Sequence, residues 1–219
     1  MLARAGFVFF SVTYRLSDVA LFPAQLHDVK AAVRWVRGNA DTLGIDPDRI
    51  GVWGHSAGGH LAALVGTTGD VSELEGDSGS PGISSRVQAV VALSPATDFL
   101  MIPDGWPYIE PRHATEKLVG GSLEERTGLV RMANPITHIR PGTPPFLIVH
   151  GADDGVVPVE QAIALADALV AVECDVTFDV LPSADHWFAS ETRGMTTAVA
   201  LQGIGKIAIE FFGQHLRDR

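Results

Sequence analysis

Residues 54–58 read G-H-S-A-G, and this G-x-S-x-G stretch decides the fold that the sequence predicts. The residues before it, 49–53, form a short apolar run suited to a buried strand, and residues 59–65 continue as a helix. A serine on a sharp strand-to-helix turn has its hydroxyl pushed out above the sheet, where a base can reach it. Glycines two positions before and after it let the backbone turn without a Cβ clash. The stretch predicts that Ser56 is a nucleophile; the alternative is a Gly-rich loop with an incidental serine.

Length and composition indicate an ordinary globular protein. The chain has 219 residues, of which 46% are hydrophobic and 19% charged. That is enough for one sizeable core, and nothing demands a second domain. The formal net charge of −10 argues against nucleic acid and anionic membrane surfaces as partners. The one cysteine, Cys174, excludes an internal disulfide framework.

The sequence shows no membrane-spanning stretch and no clear targeting segment. No apolar run approaches the length of a membrane span. The run at residues 7–10 is too short for a signal peptide and no small-residue cleavage site follows it. We therefore expect a cytoplasmic protein, with secretion left open if the natural start lies upstream.

Strand and helix patterns alternate along the chain, which predicts the α/β class: a mostly parallel sheet with helices on its faces, formed by residues 1–219 as one domain. The nearly continuous apolar run at 7–13 predicts a strand buried on both faces. Further strands are expected near 50 and at 87–93, 145–150 and 176–180, and helices after Pro23, after Ser56, and at 159–171 and 196–216.

Residues from about 97 to 143 break this rhythm over a longer span than ordinary connections have. They predict a lid-like or pocket-like insertion, although surface decoration is the alternative. A capping-box pattern at 122–125 predicts that a helix begins there.

A neutral serine needs a base, and the base needs an orienting acid. Both are expected in loops after later strands, because ligands collect at the carboxyl ends of parallel strands. His186 follows the last strand and is the best base, since imidazole titrates near neutral pH. The acid is Asp153 or Asp154, which follow the strand ending at residue 150, and Asp98 is a third candidate. The order serine, acid, histidine is that of the nucleophile-elbow hydrolases.

The remaining histidines and the glycines point to no further chemistry. His55 and His60 flank the serine and are interpreted as packing or surface residues. No cluster of His, Cys and Asp has metal-ligand spacing, and no Gly-rich phosphate loop is present in the sequence. We therefore expect no metal and no cofactor.

Several blocks carry a resemblance to a known family. They are Y-R-L at 14–16, F-P-A-Q at 22–25, D-V-K-A-A at 28–32, G-I-D-P-D-R-I at 44–50, G-H-S-A-G-G at 54–59, P-P-F-L-I-V-H-G at 144–151, V-V-P at 156–158 and D-H at 185–186. The chain resembles the α/β-hydrolase esterase/lipase family, and most of all the branch of acetyl esterases and feruloyl-esterase-like proteins. The resemblance implies a carboxylic-ester hydrolase without a cofactor. It also places the acid two residues before V-V-P, which selects Asp154.

The resemblance departs at the front of the chain. Relatives begin with additional strands and an H-G-G-G oxyanion loop, and nothing like that loop precedes Gly6, so we expect an N-terminally truncated fold. The Ala57 N–H supplies one oxyanion donor and the source of the second is open; losing one donor costs about 10²–10³ in turnover. An unpaired apolar strand at 7–13 would be an association hazard. It predicts a homodimer through that strand edge or a rearranged sheet edge.

The sequence thus predicts a serine esterase of small or short-chain acyl esters. Ser56 is expected to attack, His186 to transfer the proton and Asp154 to orient the imidazole. The candidate pocket walls are Trp106, Tyr108, Trp187 and Phe188, which could equally be ordinary packing residues. The alternatives are a catalytically weak or inactive remnant that serves as a binding module, and a peptidase or amidase that uses the same three side chains.

Overall fold

The core of the structure is a parallel sheet of four strands. The computed structural model describes residues 1–69, 71–80, 82–101 and 110–217. The strands lie side by side in chain order, all parallel: β1 (Gly51–His55), β2 (Ala89–Leu93), β3 (Phe146–Gly151) and β4 (Val176–Leu181). Their carboxyl ends therefore meet at one edge of the sheet, which is where open α/β sheets bind ligands.

Helices cover both faces of this sheet, as the α/β prediction requires. In chain order they are α1 (Ala24–Gly38), α2 (Ala40–Leu43), α3 (Ala57–Thr67), α4 (Glu110–Val119), α5 (Thr127–Ala133), α6 (Val159–Val170) and α7 (Thr197–Leu216). Helices α1, α3 and α6 share one hydrophobic core with the sheet, and α7 shares a second core with the opposite face.

Side-chain alternation along the central strands explains why both faces are apolar. In β2, Val90 and Ala92 belong to the core shared with α3, whereas Val91 and Leu93 belong to the core shared with α7. All five residues of β2 and all six of β3 are buried. A strand covered on both faces needs apolar residues at every position, and such continuous apolar runs predicted these strands from the sequence.

The strand predicted at 7–13 is wrong. The segment has no regular secondary structure, and the side chains of Val8 and Phe9 are 55% and 61% exposed. An apolar run becomes a strand only where a neighbour supplies partners for its backbone, and no strand among the described residues pairs with this one. Within the described residues β1 pairs with β2 alone, so the open edge on that side of the sheet belongs to β1. The homodimer stays a prediction, without the strand from which it was inferred.

The region between β2 and β3 is only partly described. It contains α4, α5 and a short 3₁₀ helix at Pro135–His138. The helix predicted from Ser122 begins instead at Thr127, although Ser122 Oγ does accept a hydrogen bond from the Glu125 N–H at 3.3 Å. That this region acts as a lid, and that the chain is one domain, stay predictions. None of the helices in the described ranges is both long and apolar enough to cross a membrane.

Candidate active site

Ser56 occupies the sharp turn between β1 and α3. Its backbone has φ 55° and ψ −120°, in the region that favours glycine. Two hydrogen bonds hold the turn in place. The Ser56 N–H donates to the carbonyl of Leu93 at the end of β2 (2.8 Å), and the Ser56 carbonyl accepts from the His60 N–H (2.9 Å). Backbone strain of this kind persists only where the surroundings enforce it, and it is typical of functional residues.

The glycines of the turn have different roles. A Cβ at Gly54 would lie 2.0 Å from the carbonyl oxygen of Gly58, and one at Gly59 would lie 2.6 Å from that of Leu93. Both contacts are with backbone and cannot be relieved by a side-chain rotation. A Cβ at Gly58 would meet no atom within 4 Å. The turn therefore requires Gly54 and Gly59. The prediction that Gly58 is the second required glycine is wrong.

His186 lies in the turn that follows β4 and contacts both predicted partners. Its Nε2 is 2.9 Å from Ser56 Oγ, and its Nδ1 is 2.7 Å from Asp154 Oδ2. The turn is held by Asp185, whose Oδ1 accepts the N–H groups of Trp187 and Ala189, each at 2.9 Å. The structure thus brings together three side chains that lie in loops after β1, β3 and β4.

Asp154 is the acid that faces His186. Its Oδ1 accepts the N–H groups of Val156 (2.9 Å) and Val157 (2.8 Å), while its Oδ2 faces His186 and also lies 3.2 Å from His150 Nε2. Burial by itself would raise the pKa of this carboxyl. The hydrogen bonds from His150, His186 and the Val157 N–H outweigh burial and hold the pKa of Asp154 well below its usual range.

Neither of the two other acids considered in the sequence makes a hydrogen bond to His186 in the structure. Asp153 is exposed. The Oδ1 of Asp98 accepts from the Leu100 N–H (2.9 Å) and from Asn134 Nδ2 (2.5 Å), so Asp98 holds a loop. Of the three candidates, Asp154 is the one whose carboxylate lies against the imidazole.

The hydrogen-bond pattern fixes what these three groups can do. A carboxylate only accepts, so His186 Nδ1 carries the proton that lies between it and Asp154. The other nitrogen, Nε2, is then free to accept the hydroxyl proton of Ser56. This is the arrangement in which an imidazole can deprotonate an alcohol while a carboxylate stabilises the imidazolium that forms.

Ala57 is the first residue of α3, directly after the serine. The first N–H groups of a helix have no partner within it and lie at the positive end of the helix dipole. The Ala57 N–H is thus one of the N–H groups at the amino end of α3, directly beside Ser56. Its role as an oxyanion donor stays a prediction.

A cavity of about 320 Å³ opens beside the serine. Its lining is mostly apolar and includes Ala57, Phe99 and Leu118, with Gln25 and Gln161 as polar members. His60 also lines it; its Nε2–H donates to the Ala133 carbonyl at 2.7 Å, and burial lowers its pKa to about 4, so this side chain is neutral.

The predicted pocket walls do not line this cavity where the structure describes them. Phe188 has φ 63° and is 1% exposed, as a member of the core shared with α7. Trp187 is 58% exposed and packs against the His55 ring, with ring centroids 5.2 Å apart. Trp106 and Tyr108 lie outside the described residues.

Two histidines near the site were missed as contributors to it. His55 Nε2 lies 2.9 Å from the carbonyl oxygen of His186, and the two ring centroids are 4.9 Å apart. Burial lowers the pKa of His55, so its neutral ring donates this hydrogen bond and fixes the main chain of the base. His150 contacts the acid. A polar residue at the end of an otherwise apolar strand was the available signal for His150.

No group of three or more His, Cys, Asp or Glu side chains is arranged to hold a metal ion in the described part of the chain. The absence of a metal and of a cofactor stays an expectation.

The sequence is similar to a known protein family and to esterases of known name. The family model for BD-FAE matches residues 1–169. Esterase LipC of Mycobacterium tuberculosis (strain ATCC 25618 / H37Rv) is 34% identical over 190 residues, covering 85% of this chain and 46% of LipC. The probable carboxylic ester hydrolase LipM of the same organism is 34% identical over 208 residues, covering 92% of this chain and 47% of LipM. The chain thus spans about half the length of these relatives.

A solved esterase structure is also similar to this chain. A truncated form of a carbohydrate esterase from gut microbiota superposes with a TM-score of 0.84 and 32% identity, covering 97% of this chain and 75% of that one. The esterase resemblance seen in the sequence is therefore confirmed. The chain belongs to the BD-FAE family, within the α/β-hydrolase-fold esterases.

Proposed function

We propose that this protein is a carboxylic-ester hydrolase that acts on small or short-chain acyl esters through an acyl-enzyme. One observation carries the proposal: the unbroken chain of contacts from Ser56 Oγ to His186 Nε2 (2.9 Å) and from His186 Nδ1 to Asp154 Oδ2 (2.7 Å). The likeness to the esterases LipC and LipM supports the same reaction class.

In the proposed reaction, Ser56 Oγ attacks the ester carbonyl while its proton passes to His186 Nε2. Asp154 stabilises the imidazolium, and the Ala57 N–H donates to the oxyanion of the tetrahedral intermediate. The imidazolium then protonates the leaving alcohol as the C–O bond breaks, which leaves an acyl group on Ser56. Water, deprotonated by the same imidazole, attacks the acyl-enzyme and releases the acid.

The cavity supports the choice of a small substrate. Its volume of about 320 Å³ lies at the lower end of the range of about 300–1,000 Å³ for ligand pockets. The apolar lining favours an alkyl or aryl group over a charged one, because a charge without a partner is costly to desolvate.

Hydrolysis of p-nitrophenyl acetate by the wild type, Ser56→Ala and Ser80→Ala tests the proposal. Ser80 is a matched control, because it too has a positive φ (60°) but lies beside Gly38 at the end of α1 and does not line the cavity. We expect Ser56→Ala to lose more than about 10⁴-fold in kcat and Ser80→Ala to match the wild type. Equal rates for wild type and Ser56→Ala would reject Ser56 as the nucleophile.

Two further measurements separate the alternatives. A fluorophosphonate probe labels only an activated serine, so a wild type that folds but is not labelled would indicate a binding module. A p-nitroanilide matched to the ester would be cleaved at a comparable rate by a peptidase or amidase, whereas we expect the ester to be strongly preferred.

Across p-nitrophenyl acetate, butyrate and octanoate, we expect kcat/KM to fall at the longest chain.

A further inference from the structure

His150 is a polar side chain in a place that otherwise holds only apolar ones. It is the fifth residue of β3, and its side chain is 0% exposed. Phe146 and Ile148, which point to the same side of the strand, belong to the core shared with α3. A buried polar side chain persists where it makes hydrogen bonds, so its partners indicate its role.

Both partners of His150 belong to the loop that carries the acid. Its Nε2 lies 2.9 Å from the Val157 carbonyl oxygen and 3.2 Å from Asp154 Oδ2. Both atoms are acceptors, so Nε2 carries the proton. No described group lies within hydrogen-bonding reach of Nδ1. A proton on that nitrogen would be an orphaned buried donor, so the geometry assigns the proton to Nε2 and leaves Nδ1 without one.

This proton acts on Asp154 by two routes. The shorter bond holds the Val157 carbonyl, and the N–H of the same residue donates to Asp154 Oδ1 at 2.8 Å. The longer contact places a second donor on Oδ2, the oxygen that faces His186. The carboxylate therefore has donors on both oxygens and cannot rotate away from the imidazole without losing one of them.

We propose that His150 is a positioning residue that holds the Asp154 carboxylate in line with His186. The inference rests on the proposed esterase function. It assigns no contact with substrate, because His150 does not line the cavity beside Ser56. Its loss should therefore lower kcat and leave KM unchanged.

The test compares His150→Phe, which removes the donor, with His150→Gln, whose side-chain amide can place an N–H near the position of Nε2. With p-nitrophenyl acetate we expect His150→Phe to lose about 10- to 100-fold in kcat, the scale of a small misplacement of a catalytic group. We expect His150→Gln to recover most of that loss. His138→Phe is the matched control, since His138 Nε2 also contacts a backbone carbonyl, that of Met132 at 2.9 Å, away from the three side chains.

The outcomes separate the two proposals. If Ser56→Ala is as active as the wild type, the esterase proposal fails. If Ser56→Ala is inactive but folded His150→Phe keeps the kcat of the wild type, the positioning role alone is overturned. A rise in KM at constant kcat would also overturn it, and so would a His150→Gln variant that is folded yet as impaired as His150→Phe.

A measurement on the wild type decides the matter if His150→Phe does not fold. Long-range ¹H–¹⁵N correlation spectra report which imidazole nitrogen is protonated. We expect His150 to be protonated at Nε2 and not at Nδ1. The opposite tautomer would leave no donor towards Asp154 and would overturn the inference.

Discussion

Replacing Asp154 with asparagine changes one atom of the acid and leaves its size unchanged. The amide can take two orientations. In the first, its oxygen stays with the N–H groups of Val156 and Val157, at 2.9 and 2.8 Å in the wild type. Its NH₂ group then faces His186 Nδ1, which must become an acceptor. It also faces the His150 Nε2–H, which keeps the Val157 carbonyl as its acceptor at 2.9 Å. The proton moves to His186 Nε2, which donates to Ser56 and can no longer accept the hydroxyl proton.

In the second orientation, the amide oxygen faces His186 and preserves the competent tautomer. The NH₂ group then opposes the two backbone N–H groups, so two buried donors lose their acceptor. Each loss costs about 1–3 kcal/mol, which places the competent arrangement about 2–6 kcal/mol above the other. At about 1.4 kcal/mol per factor of ten, it is depopulated about 30-fold to 10⁴-fold. The loss of the charge that stabilises the imidazolium adds to this.

We therefore expect Asp154→Asn to lower kcat by about 10³- to 10⁴-fold with KM nearly unchanged. The assay is p-nitrophenyl acetate hydrolysis, with thermal unfolding to show that the variant is folded. Asp153→Asn is the control, because Asp153 is the adjacent acid and is exposed. A folded Asp154→Asn variant within about threefold of the wild type, or an equal loss in Asp153→Asn, would refute the reasoning.

Three further predictions concern folding and reactivity. Gly54→Ala should lower the free energy of unfolding by about 3 kcal/mol or more, because its Cβ would lie 2.0 Å from a backbone oxygen. Gly58→Ala is the control, since a Cβ there would meet open space. Equal losses of stability in urea denaturation would contradict the different roles of these two glycines. The pKa of His60 is lowered by burial to about 4, so the unfolded chain binds a proton that the folded chain excludes, and stability should fall by on the order of 3 kcal/mol as the pH drops from about 6.5 to 4. His60→Gln should flatten that dependence. If the free energy of unfolding fell equally steeply with decreasing pH in the wild type and the variant, the prediction would be contradicted. Burial raises the pKa of the Cys174 thiol to about 11, so Ellman's reagent at pH 8 should react far more slowly with the native protein than in urea; similar rates would show an accessible thiolate.

The parts of the fold that the sequence predicted correctly are those with local causes. The sequence signal for the turn at Ser56 lies within five positions of it, and the signal for the buried strands is a run of consecutive apolar residues. The three side chains of the site could be proposed because the carboxyl ends of parallel strands lie together. In the structure, His186 Nε2 lies 2.9 Å from Ser56 Oγ although the two residues are 130 positions apart in the sequence.

The parts that failed depend on what surrounds a residue. The segment at 7–13 has the composition of a buried strand, but no strand in the described part of the chain lies beside it. Helical spacing alone would place Ile163 on the inward face of α6 with Leu165 and Leu169, yet Ile163 is 41% exposed. The contacts of His55 with the carbonyl of His186, and of His150 with Asp154, exist only after folding, and no spacing in the sequence encodes them.

The left-handed backbone of Ser56 also bears on how this protein could be improved. A non-glycine residue held in such a conformation costs about 1–3 kcal/mol, and glycine would adopt it without strain. In a directed-evolution experiment that selects for thermostability alone, glycine at position 56 would be among the favoured substitutions. Each variant that carries it would lack the hydroxyl that attacks the ester. Any screen for thermostable variants must therefore include turnover from its first round.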